Sequence, residues 1–172
     1  MISKSFSTPA TQLDAIDWQL LDLLQHDATL SNLALAEAVH ISPATCHRRV
    51  KRLWEAGLIE KQVAVLSLAG IAAQQGWGLS VLVEVSLDTQ TQEALDAFET
   101  KVCAHPHIQQ CWRVSPGPDF VLVAQVRDMP AYQELARQLF TEDSNVRNVR
   151  AFFAVKRAKF GTQLPLVSSA QG

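Results

Sequence analysis

The chain has 172 residues, of which 48% are hydrophobic and 19% are charged, a balance that excludes a disordered chain and favours packed cores. No apolar run approaches the roughly 20 residues of a membrane-spanning helix, and the Ser/Thr-rich start lacks the apolar block of a secretory signal, so we expect a cytoplasmic protein without a membrane partner. The net charge of −2 shows that the protein is not basic overall, so any nucleic-acid-binding surface must be a local basic patch. Three cysteines, an odd number, argue against a disulfide framework.

The first part of the chain predicts three helices in succession. Asp14 is placed to cap a helix with apolar residues at helical spacing, and Ser31 is placed to cap a short second helix. Ser42 then caps a third helix, in which Pro43 occupies the first position, where a missing N–H costs nothing. Because the turn between the last two helices is so short, they must cross steeply, which is the helix-turn-helix arrangement.

The third helix concentrates basic charge. Residues 42–53 contain four Lys and Arg residues and no acid. At 100° per residue, Cys46, Val50 and Leu53 share an apolar face that can pack. The opposite arc comprises Ala44, Thr45, Arg48, Lys51 and Arg52. Most charged faces are merely solvated, but the second helix of a helix-turn-helix is the one that enters DNA, so this position favours a DNA-binding surface.

The pattern changes after the third helix. Gly57 is predicted to end that helix in a left-handed conformation, and residues 58–66 are typical of extended chain, either a hairpin-like wing or a strand exchanged with a partner. Residues 67–76 are small and uncharged, with two glycines, and indicate a linker. We therefore expect a helix-turn-helix domain over residues 1–66, with 1–11 disordered or loosely ordered, a second domain over 77–160 and a tail over 161–172.

The second half alternates strand and helix periodicities. Apolar residues occupy every second position from Leu79 to Leu87, which indicates a half-buried strand, and Pro106 ends the helix that follows. The predicted strands are 79–87, 108–114, 120–126 and 149–155, and the second of them alternates through Ile108, Gln110, Trp112 and Val114. The order β-α-β-β-α-β is the ferredoxin-like topology, with both helices on one face of an antiparallel sheet. The predicted fold class is therefore α+β.

The other face of this predicted sheet has no helix to cover it. It carries apolar side chains from three strands: Leu82, Val121, Val123 and Phe152. Because exposed apolar surface of this kind commonly marks a protein interface, we expect a homodimer formed through this domain.

The order of motifs resembles the Lrp/AsnC, or feast/famine, family of transcription regulators, over about residues 13–160. The resemblance is carried by Leu13-Asp14-Ala15-Ile16-Asp17, by Ile41-Ser42-Pro43 with Cys46, Arg49-Val50 and Arg52-Leu53, and by Glu55-Ala56-Gly57-Leu58-Ile59. It implies a winged-helix-like DNA-binding domain, a ligand-sensing and oligomerising domain, and dimers that assemble into tetramers or octamers.

The resemblance also implies an amino acid or related metabolite as effector and no resident cofactor. The effector would bind between dimers, near the loop that joins the second and third strands, which here comprises Ser115, Pro116, Gly117, Pro118 and Asp119. Asp119-Phe120 fits the family's pattern, whereas Pro116 and Gly117 stand where a glycine and an acid are expected. The prolines lack backbone donors for a carboxylate, and the missing acid removes a partner for an ammonium group.

The predicted DNA-binding residues are Ser42, Ala44, Thr45, His47, Arg48, Arg49, Lys51 and Arg52. Thr45 and Arg48 lie near the start of the helix, the part that reaches base edges in the major groove. Lys51, Arg52 and Arg49 are better placed for phosphates, with an intramolecular carboxylate as the alternative for Arg49. His47 has no role beyond its proximity.

One cluster contains residues that can bind metals: Cys103, His105, His107 and Cys111. Its spacing matches no familiar zinc pattern, and the residues cross from a helix end into a strand, so we predict structural residues and no metal site. Two alternatives remain open. One is a siroheme-decarboxylase-like enzyme subunit, with the run Gln110-Cys111-Trp112-Arg113 on the second strand, and the other is a chromosome-organising DNA binder without an effector.

Overall fold

The computed structural model describes residues 12–76 and 78–166, which divide into two compact units. The described parts of the first unit are residues 12–64 and 159–166, and the second unit contains residues from Val65 to Ala158. The predicted loosely ordered start at 1–11, Trp77 at the start of the predicted second domain, and residues 167–172 of the predicted tail lie outside the described residues. No helix among the described residues is long and apolar enough to cross a membrane.

The first unit contains the three predicted helices. They are α1 (Ala15–His26), α2 (Asn32–Ala38) and α3 (Pro43–Glu55). Asp14, Ser31 and Ser42 cap them as predicted, each side-chain oxygen accepting a hydrogen bond from the backbone N–H three residues later. Leu20, Leu35, Ala36, Val39, Cys46 and Leu53 are buried together between the three helices. This core joins α3 to the other two helices as one unit.

The chain after α3 differs in part from the sequence prediction. Gly57 ends α3 with a φ of 71°, as predicted. Residues 58–66 form no strand, and their apolar side chains include Val63 and Leu66, which are 65% and 68% exposed. The passage predicted as a linker contains a helix, α4 (Leu68–Gln75), because the Ser67 hydroxyl caps its first turn and Gly76 ends it in the left-handed region.

The second unit is a four-stranded antiparallel sheet with helices on one face. Its elements are β1 (Leu79–Leu87), α5 (Gln92–Cys103), β2 (Ile108–Arg113), β3 (Phe120–Val126), α6 (Met129–Ala136), a π-helical turn (Arg137–Thr141) and β4 (Val146–Phe153). The strand order is β2-β3-β1-β4. This confirms the predicted ferredoxin-like topology.

The two faces of the sheet differ in burial. Alternate residues of β1 and β3 face the helices and are buried, among them Val83 and Leu122, which pair across the two strands. Phe98 of α5 packs on Phe120 of β3 with ring centroids 4.9 Å apart. The predicted residues of the open face lie there: Leu82 pairs with both Val123 and Phe152 in the neighbouring strands, and Leu82 is 44% exposed.

Two strand predictions need correction. A bulge between Ile108 and Gln110 adds a residue to β2, so the predicted alternation through Trp112 and Val114 is broken. Cys111 consequently packs against the core, and Trp112 is 59% exposed. The last strand was predicted to reach Val155, but β4 ends at Phe153 and Val155 is fully exposed.

Candidate nucleic-acid interface

The start of α3 is held by a small set of polar contacts. The Ser42 hydroxyl accepts from the Thr45 N–H at 3.3 Å and donates to the Thr45 hydroxyl at 2.9 Å. Asn32 at the start of α2 donates from Nδ2 to the Pro43 carbonyl oxygen at 2.8 Å. Because Cys46 and Leu53 are buried at 0% exposure, the apolar side of α3 is fixed and its opposite side faces solvent.

The predicted reading residues lie on that solvent side. Ala44, His47 and Arg48 are exposed, and Thr45 is half-buried beside its contact with Ser42. Lys51 forms one ion pair along the helix, with Glu55 at 3.7 Å, in which both side chains are about two-thirds exposed. Such a pair is weak in water and can be exchanged for a phosphate. No carboxylate among the described residues forms an ion pair with Arg48.

The last two arginines of the basic run are directed at α1 instead. Arg49 Nη1 lies 2.8 Å from Asp17 Oδ1 and 2.8 Å from Asp14 Oδ2. Arg52 Nη2 lies 2.5 Å from Asp17 Oδ2. Asp17 is completely buried, so these two guanidinium groups supply the positive charge that a buried carboxylate requires.

Asp14 and Asp17 also bond each other's backbone. The Asp14 carboxylate accepts from the Asp17 N–H at 3.0 Å, and Asp17 accepts from the Asp14 N–H at 3.2 Å, which is a capping box. The Asp17 N–H holds the pKa of Asp14 below its ordinary value, with Arg49 contributing. The hydrogen bond from Arg49 to Asp14 in turn raises the pKa of Arg49. The capping box therefore also fixes the carboxylates that bind α3.

These contacts divide the predicted cations into two groups. The intramolecular carboxylate considered for Arg49 is present, and Arg52, for which a phosphate was predicted, is bonded to Asp17. Sequence reasoning missed Asp17 as the buried acceptor. The signal in the sequence was the position of Asp17, which lies three residues after the capping residue Asp14 and on the side of α1 that faces the core. Arg48 and Lys51 remain the cations directed to solvent without a buried partner.

One residue of the predicted effector loop, Asp119, is hydrogen-bonded to strand β1. Asp119 Oδ2 accepts from the Leu87 N–H at 2.7 Å, and the Asp119 N–H donates to the Val85 carbonyl at 2.9 Å. Ser115, Pro116 and Gly117 are exposed, and Pro118 is half-buried. None of these five residues lines the open cavity of about 560 Å³ beside α5, which is bordered by Asp88, Lys101 and Asn145 among others.

The Cys/His cluster at the end of α5, which was predicted to be structural, forms two neighbouring pairs, one of histidines and one of cysteines. The rings of His105 and His107 meet edge to face with centroids 5.4 Å apart, and Cys103 lies at the end of α5 near Cys111 of β2. Across residues 12–76 and 78–166, no group of three or more His, Cys, Asp or Glu side chains is arranged to hold a metal ion.

Each of the two units matches the model of a known protein family. A model of a winged helix-turn-helix DNA-binding domain matches residues 13–60, and a model of the Lrp/AsnC ligand binding domain matches residues 80–164. The chain is 36% identical over 154 residues to the DNA-binding transcriptional activator DecR of Escherichia coli strain K12, covering 90% of this chain and 99% of that protein. The chain belongs to the Lrp/AsnC family. It is a DNA-binding transcriptional regulator with a ligand-binding domain.

Two further members of the family match this chain over nearly its whole length. The Leucine-responsive regulatory protein of Escherichia coli strain K12 is 32% identical over 156 residues, covering 91% of this chain and 93% of the relative. A transcriptional regulator of Neisseria meningitidis, solved as a complex with L-Met, superposes with a TM-score of 0.80 at 29% identity, covering 90% and 97% of the two chains. These relatives are named as regulators, and they support a regulator over the siroheme-decarboxylase alternative.

Replacing Asp17 with Asn tests the buried ion cluster. We expect Asp17→Asn to lower the free energy of unfolding of the helix-turn-helix unit by about 3 kcal/mol, because two guanidinium groups lose their common anion. Urea unfolding of the full chain, followed by far-ultraviolet circular dichroism, measures the change. Asp22→Asn on the same helix is the control, since Asp22 is half exposed and its loss should cost under about 0.5 kcal/mol. Equal effects of the two variants would contradict the role given to Asp17.

Proposed function

We propose that α3 reads sequence in the major groove of double-stranded DNA, with Thr45 and Arg48 at base edges and Lys51 at a phosphate. The observation that carries this proposal is the exposed side of α3, on which Arg48 has no carboxylate partner among the described residues while Arg49 and Arg52 are held by Asp17. A cation without an internal partner loses no ion pair when it binds a base or a phosphate. Ser42, Ala44 and His47 flank these residues closely enough to contact the DNA backbone.

We further propose that the protein is a homodimer formed through the open face of the sheet, and that dimers assemble into tetramers or octamers. Trp112, Leu82 and Phe152 are 59%, 44% and 45% exposed on this face, with Val121 and Val123 between them. Burying these side chains against a second copy removes their apolar surface from water at about 25 cal/mol per Å². A two-fold dimer would present two α3 helices to successive major grooves, about 34 Å apart.

We also propose an amino acid or related metabolite as effector, bound at an oligomer interface near residues 115–119. The ligand-binding domain match and the L-Met complex of the Neisseria relative support this class of ligand. In this chain Asp119 is the acid of the loop, and its backbone and carboxylate both bond β1. A ligand ammonium group that contacts Asp119 would therefore act directly on the end of β1, and through it on the assembly of the sheet.

The DNA-reading role is tested with Arg48→Ala. On a duplex selected from a random library by the natural protein, we expect affinity to fall by about 10- to 100-fold, the usual value of one specific base contact. The control is Arg127→Ala, which removes an arginine that is likewise exposed but lies in the other unit. Oligomer mass should be unchanged in both variants. Arg52→Ala is unsuitable because it also removes a partner of Asp17. Undiminished binding by Arg48→Ala would contradict the assignment.

The dimer is tested with Leu82→Asp. A carboxylate at the centre of the open face must lose its hydration on association, so we expect a monomer by light scattering at concentrations where the natural protein is oligomeric. Val155→Asp places the same charge at a fully exposed apolar residue outside the strands and should leave the mass unchanged. Retention of the natural mass by Leu82→Asp would place the dimer interface elsewhere.

The effector is tested by measuring DNA affinity in the presence of each proteinogenic amino acid. We expect one amino acid or a related group to change the affinity by about 5-fold or more, a coupling of at least about 1 kcal/mol. Asp119→Asn keeps an oxygen acceptor for the Leu87 N–H while removing the charge, so it should weaken that response with the fold intact. No response to any amino acid would favour the chromosome-organising alternative, in which DNA binding needs no effector.

A further inference from the structure

The edge strand β2 is held against α5 by an ion cluster that fixes their relative position. Arg113 Nη2 lies 2.7 Å from Asp96 Oδ1 and 2.7 Å from Glu99 Oε2, both on α5. The Arg113 side chain therefore points toward the helix. Since alternate residues of a strand share a face, Cys111 points the same way, which agrees with its packing against the core.

The same register brings two thiols together. Cys103 lies four residues after Glu99 on α5, one turn further along the same side of the helix. Cys111 lies two residues before Arg113 on β2, and the bulge after Ile108 is what turns Cys111 toward α5. Each cysteine is thus displaced in the same direction from the Glu99–Arg113 ion pair, which places the two thiols side by side.

The two thiols differ in access to solvent. Cys103 is exposed and Cys111 is half-buried, whereas the third cysteine, Cys46, is completely buried in the other unit. Burial, followed by the charge of the neighbouring Cys103, raises the pKa of Cys111 to about 12. A soluble oxidant therefore reaches Cys103 first, and Cys111 is the thiol positioned to react with the product.

We propose that Cys103 and Cys111 form a reversible intramolecular disulfide by exchange with a low-molecular-weight disulfide such as oxidised glutathione. The Cys103 thiolate attacks one sulfur of the small disulfide, whose S–S bond breaks and releases one thiolate. Cys111 then loses its proton to solvent, and its sulfur attacks Cys103 Sγ, which breaks the mixed disulfide and releases the second thiolate. The two protein thiols lose two electrons and two protons, and the small disulfide is reduced to two thiols.

The second step is favoured by the packing of α5 on β2 and opposed by the burial of Cys111. Once Cys103 is in a mixed disulfide it carries no negative charge, so its contribution to the raised pKa of Cys111 disappears. The remaining effect of burial lowers the thiolate fraction of Cys111 by more than the greater nucleophilicity of a high-pKa thiolate restores, so the second step depends on the proximity of the two cysteines. The helix–strand packing holds the two cysteines side by side, so the reaction is intramolecular. The disulfide would tie the end of α5 to the strand that carries Trp112 on the open face.

The experiment exposes the reduced full-length protein to oxidised glutathione under native conditions, stops the reaction with acid and measures intact and peptide masses. Trypsin releases both cysteines in one peptide, residues 102–113, because Lys101 and Arg113 flank them. We expect this peptide of the natural protein to lose about 2 Da, and dithiothreitol to restore its mass. Cys111→Ser should instead accumulate a glutathione adduct of about 305 Da at Cys103. Cys103→Ser should acquire neither modification at a comparable rate.

The proposal is overturned if the natural protein accumulates a stable adduct at Cys103 as Cys111→Ser does, if both thiols stay reduced, or if the disulfide involves Cys46 or a second chain. Circular dichroism of the reduced variants establishes that they are folded. Because Cys103 is exposed, its replacement by Ser should leave the spectrum unchanged. The measurement uses no DNA and no effector, so its outcome is independent of the proposed regulatory function.

Discussion

The helix-turn-helix depends on one buried carboxylate. Asp17 is inaccessible to solvent, and its two oxygens accept from Arg49 and Arg52 of α3. A carboxylate in this position is tolerated only with such partners, because its hydration has been lost. Together with the burial of Cys46 and Leu53, this interaction fixes the rotation of α3 about its own axis relative to α1. In that rotation Arg48 and Lys51 are exposed without a buried partner, while the Arg49 and Arg52 guanidinium groups reach Asp17.

The sheet domain shows a similar division between its two faces. One face is closed by α5 and α6, and the other leaves Leu82, Phe152 and Trp112 partly exposed. Trp112 is on the open face because a bulge in β2 inserts one residue, and the same bulge turns Cys111 toward α5. One local irregularity therefore supplies a side chain to the proposed dimer interface and a thiol to the proposed disulfide.

Much of the fold followed from periodicity and caps. Asp14, Ser31 and Ser42 cap their helices as predicted, since a side-chain oxygen next to a helical pattern has local backbone donors to satisfy. The ferredoxin-like order was also predictable, because each strand and helix has its own apolar period. The β2 bulge and the end of β4 were not, since both depend on pairing with neighbouring strands. Residues 58–66 pair with no described strand, and whether they pair with a second copy, as one of the two predicted alternatives requires, stays a prediction.

By itself the sequence determined the family, the helix-turn-helix and the basic stretch from Ser42 to Leu53, because these depend on residues close together in the chain. The tertiary structure decided which cations of that stretch are paired with a buried carboxylate and which are not. Arg49 and Arg52 are separated from Asp17 by more than thirty residues, and only the packing of α3 on α1 brings them within 3 Å of it. Charge can be counted along a chain, but whether a charge is available to a partner depends on the groups that folding places beside it.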